Sequence, residues 1–123
     1  MQSTIGFREE FNLDTIYELI KDEAPRLVGA LEAKYCFENE KTPSEMLENF
    51  ESLTRTEKIE LLGWIVSASN RLIDDMAWGA ISYITLSTMR RINKMIEKEL
   101  NGANQEEWEF FEKGYKLALK NKK

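Results

Sequence analysis

The sequence predicts an all-α fold, a single-domain bundle of five or six helices, and three observations carry that prediction. Apolar residues recur at spacings of three and four along most of the 123-residue chain, the period of one helix face. β-Branched residues nowhere alternate strictly with polar ones, as a half-buried strand requires. Only two prolines and six glycines interrupt the chain. No repeat, low-complexity tract or linker divides it, so 1–123 reads as one helical domain.

The first helix starts near Asn12 or Asp14, both good N-caps, and runs to about Ala24 with Leu13, Ile16, Tyr17 and Ile20 as its apolar stripe. Pro25 kinks it or opens a second helix, whose stripe is Leu27, Val28, Leu31 and Tyr35. Thr42, Pro43, Ser44 and Glu45 make a strong start for a third: the threonine caps, proline takes the first position and glutamate completes a capping box. Met46, Leu47, Phe50 and Leu53 form its buried side, closing an acidic helical region over 12–53.

A second capping box, Thr54 to Glu57, opens a long helical segment over 55–100. Its apolar pattern starts at residue 57 or just beyond and includes Ile59, Leu62, Ile65, Val66, Leu72, Met89, Ile92, Ile96 and Leu100. One unbroken helix over this stretch would approach 70 Å, so the segment 57–100 is expected to break at 74–79. Asn101 and Gly102 stop it, the glycine suiting a left-handed C-cap. Asn104 and Glu107 start an aromatic helix over 104–120, with Trp108, Phe111, Tyr115 and Leu119 as the expected core stripe. Phe110 and Trp64 fall off the main stripes and are expected in a broader core face or an oligomer contact.

Composition excludes several chemistries. The chain has no histidine, the commonest neutral-pH base and metal ligand. One cysteine, Cys36, allows neither an internal disulfide nor a multi-cysteine zinc site. No residue set calls for a cofactor or a metal, and nucleophilic catalysis lacks a partner base. The longest apolar run, 61–66, is far shorter than the roughly 20 residues that span a bilayer. Without a signal-peptide pattern, and with a lone thiol among aromatics, the expected location is the cytoplasm.

Charge is uneven. Residues 1–53 hold 12 acidic and 5 basic side chains, a balance of −7, whereas 54–100 hold 6 and 7, and 101–123 hold 4 and 5. Two acidic ridges stand out: Asp14, Glu18 and Asp22 at i, i+4, i+8, and Glu45, Glu48 and Glu51 at i, i+3, i+6. Adjacent in space, they would steer a basic partner protein and repel nucleic acid or an anionic membrane. The expected function is therefore a small acidic protein-binding protein, an inhibitor or regulator that occludes a partner's basic surface, with the 57–100 segment as scaffold and candidate homodimer seam.

Two other readings have residues of their own. Residues 78–94 resemble a helix-turn-helix, with Arg90, Arg91 and Lys94 on the helix that would meet phosphates, although Gly79 and Tyr83 depart from the usual small residue and turn glycine. Carboxylates at Glu45, Glu48, Glu51, Glu57, Glu60, Asp74 and Asp75 invite comparison with all-helical Mg²⁺-dependent nucleotide pyrophosphatases. That family's Glu-Glu-x-x-Glu and Glu-x-x-Asp strings do not occur; Arg71 stands three residues before Asp74. In general style the small, acidic, histidine-free composition resembles phage and mobile-element accessory proteins, including immunity proteins and inhibitors. That resemblance implies binding rather than catalysis.

Overall fold

The computed structural model describes residues 13–37, 40–74 and 86–119, apart from the side chains of Asp14 and Leu19. It is all-α. Six α-helices lie among the described residues: α1 (Leu13–Ile20), α2 (Ala24–Glu32), α3 (Pro43–Glu48), α4 (Arg55–Asp74), α5 (Leu86–Leu100) and α6 (Gln105–Leu117), with a 3₁₀ turn at Phe50–Ser52. The expected break over 74–79 falls almost wholly in 75–85, outside the described residues. None of the described helices is long and apolar enough to cross a membrane.

Local chemistry sets the helix starts. Pro25 sits in the first turn of α2, so the chain turns after Ile20 instead of continuing one helix to Ala24. At α3 the Thr42 hydroxyl accepts from the Glu45 amide at 3.1 Å while the Glu45 carboxylate accepts from the Thr42 amide at 3.0 Å. Thr54 and Glu57 repeat that reciprocal bonding at α4, at 3.2 and 3.0 Å. Asn104 and Glu107 do the same at α6. Each box satisfies two amides that a helix start otherwise leaves open.

The core is organised around α4. Every residue from Ile59 to Ser69 is buried, as expected of a helix packed on all sides. Trp64 is wholly buried, donates its indole N–H to the Cys36 carbonyl at 2.7 Å and meets Phe37 edge-on. It belongs to the broader core face.

α6 runs alongside α4 in the same direction. Arg55 pairs with Glu107 at one end, Glu60 with Lys113 near the middle, and Arg71 donates to the Ala118 carbonyl at the other. Two glycines allow the approach. A β-carbon at Gly63 would lie 2.1 Å from the Phe111 carbonyl oxygen, and one at Gly114 would lie 1.9 Å from that of Glu60. Ser67 and Ala118, each four residues beyond its glycine, are buried too, giving the small-xxx-small pattern that lets helix backbones touch.

Candidate protein-binding surfaces

Tyr17 of α1 and Lys21, just past its end, line a hollow of about 320 Å³ with Ser44, Leu47 and Glu48 of α3. Glu48 of the second acidic ridge enters the lining, while Glu18 and Asp22 of the first do not. Tyr17 is positioned by stacking on Phe50, centroids 4.8 Å apart. Lys21 pairs with Glu18 at 2.9 Å; this hydrogen bond, followed by the Glu18 charge, raises the ammonium pKa above its ordinary value. Asp22, Glu48 and Glu51 are exposed. Glu45 is partly engaged, because its carboxylate closes the Thr42 cap; the backbone N–H of Thr42 holds its pKa below the ordinary value. Asp14 lies on α1, with its side chain outside the described residues.

On the basic side, Arg90, Arg91 and Lys94 are all exposed on α5. Arg91 reaches across to Glu23 at the head of α2, which anchors α5 to the first half of the chain. Most of the preceding half of the helix-turn-helix pattern, through residue 85, lies outside the described residues. Of the carboxylates weighed for a metal, Glu57 closes the α4 capping box and Glu60 pairs with Lys113 at 3.3 Å. Among the described residues no group of three or more carboxylates and thiols converges to hold a metal ion.

The stripe predicted for α6 is corrected by the structure. Phe111 is buried as expected and Tyr115 packs half-buried against the core, but Trp108 and Leu119 do not join them; Glu107, Gly114 and Ala118 complete the buried face. Trp108 is 44% exposed and Leu119 55%. Gly114 and Ala118 take the place of larger side chains against α4, and Trp108 and Leu119 turn outward.

Trp108 thereby stands at the mouth of an apolar groove of about 450 Å³ between α5 and α6. Val66, Leu100 and Phe111, all buried, form its floor. Trp108, edge-on to Phe111 with centroids 6.0 Å apart, and Tyr115 form the aromatic wall. Exposed Glu97, Asn101 and Glu112 complete the lining, which includes no lysine or arginine. The short link from Leu100 to Gln105 brings these walls together. In the sequence the clue is the pair of mid-helix glycines, Gly63 and Gly114, which fix the rotation of α6.

Comparison with protein-family models, with curated proteins and with solved structures finds no match for this chain.

Proposed function

We propose that this chain is a protein-binding protein, an inhibitor or regulator that acts by covering part of a partner. The observation carrying this reading is the exposure of Trp108 over an apolar groove. A large aromatic beside a buried apolar floor, ringed by polar groups, has the anatomy of a binding hot spot. The acidic first half supplies a second element: Glu18, Asp22, Glu48 and Glu51 are exposed carboxylates that would accelerate approach of a basic surface. Occlusion needs no catalytic group, only a rigid scaffold, and α4 provides it. The proposed location is the cytoplasm, where the lone Cys36 thiol stays reduced.

The test is affinity capture from the cells that make the protein, comparing wild type, Trp108→Ala and the triple variant Glu18→Lys, Asp22→Lys, Glu48→Lys, with folding checked by circular dichroism. A partner retained by wild type, lost with Trp108→Ala and weakened in the triple variant is the expected outcome. Equal recovery of the same proteins on all three baits overturns the proposal.

A further inference from the structure

Resting on that reading, we propose that the occupant of the α5–α6 groove is an amphipathic helical segment of a partner protein, carrying a lysine or arginine among its apolar anchors. The groove's length selects the segment. From Trp108 to Tyr115 the lining follows α6 for seven residues, about 10 Å at 1.5 Å per residue. That is two helical turns, matching side chains at i, i+3 or i+4, and i+7 of a guest helix laid between two host helices.

The groove's charge selects the cation. Glu97 enters the lining from α5 and Glu112 from α6, so carboxylates stand on both walls. Glu112 has a lysine neighbour, Lys116, at 3.6 Å, but both side chains are more than two-thirds exposed, and such a pair is weak and easily exchanged. Trp108 and Tyr115 line the same groove as these acids, and a cation over an aromatic face gains attraction beyond the apolar contact. An acidic helix, a nucleic-acid phosphate or an anionic lipid surface would be repelled by the same two carboxylates. A neutral apolar helix would fill the floor but add no attraction to either carboxylate.

Three synthetic 14-residue amphipathic peptides test this by isothermal titration: leucine with lysine, and the same peptide with every lysine changed to glutamine or to glutamate. The lysine peptide is expected to bind wild type about tenfold more tightly than the glutamine peptide, with no binding of the glutamate peptide. Glu97→Gln with Glu112→Gln should erase the lysine preference, and Trp108→Ala should weaken binding about thirtyfold. Glu40→Gln with Asp74→Asn, both exposed and outside the groove lining, should leave the preference intact. Equal affinity for the lysine and glutamine peptides overturns the proposal, as does a preference that disappears only in the Glu40, Asp74 variant. Trp108-dependent self-association without peptide binding, read by sedimentation, assigns the groove to a second copy and also overturns it. A natural partner that needs Trp108 but shows no such charge preference would defeat this inference alone and leave the proposed function standing.

Discussion

Two faces of α6 behave in opposite ways. The face carrying Gly114 and Ala118 lies so close to α4 that a methyl group at either Gly63 or Gly114 would strike a backbone carbonyl. The adjacent face carries Trp108 and Leu119, the two large apolar side chains most exposed among the described residues. In an ordinary amphipathic helix the biggest apolar residues go inward because burial scales with area. Here close backbone contact takes the inward side. Dispersion over a long, gap-free contact, Cα–H···O contacts and the ion pairs at Arg55 and Glu60 stabilise that side. The large side chains are left for another surface.

The largest expected effect lies on the closed face. Gly63→Ala or Gly114→Ala should destabilise the fold by about 3 kcal/mol or more, since the obstructing atoms are backbone and cannot rotate away; urea denaturation measures it, and a change below about 1 kcal/mol would mean the helices are not in contact. Glu107→Ala comes next, at about 2 kcal/mol, because it removes the α6 capping box and the Arg55 partner together. Glu107→Gln should recover about half of that, since an amide can still close the box.

On the open face, Trp108→Ala should change stability by no more than about 1 kcal/mol, as read by thermal melting. Gly29→Ala reverses the sign found at Gly63. Nothing lies within 4 Å of its would-be β-carbon on α2, so helix propensity prevails and the variant should gain about 0.5–1 kcal/mol. The smallest effect is the pH dependence of the caps. The backbone N–H of Thr42 holds the Glu45 carboxyl, and that of Thr54 the Glu57 carboxyl, below the ordinary 4.5. Their contribution is therefore fully present above pH 4.5 and declines as the pH falls through the folded values. Glu45→Gln should flatten the acid limb of a stability–pH curve in that window.

The capped helix starts were the legible part of the fold. The boxes at Thr42, Thr54 and Asn104 are local hydrogen-bond patterns, written in four consecutive residues and independent of the rest of the chain. The stripes of α2, α3 and α5 were legible as well, because each of these helices packs by its large side chains: Leu27, Val28 and Leu31, then Met46 and Leu47, then Met89, Ile92 and Ile96 are all buried. α6 was misread because periodicity marks an apolar arc but does not say which edge of it a neighbour covers. Gly63 and Gly114 decide that, and in isolation a mid-helix glycine registers only as a weak point. The acidic ridges were legible as sequence; the hollow that Tyr17 and Lys21 form with Ser44, Leu47 and Glu48 depends on how the first and third helices pack.

The parallel course of α4 and α6 also bears on how the chain reaches its native state. Two neighbouring helices can run the same way only if the chain doubles back between them, and the Arg55–Glu107 contact accordingly closes a loop of 52 residues. Closing it carries an entropic cost that no local turn shares, and contacts of such long range slow a search otherwise fast for helical proteins. Until α6 arrives, Gly63 and Ser67 on α4 have no helix against them. The close backbone contact at Gly63 and Gly114 can form only once that long loop has closed.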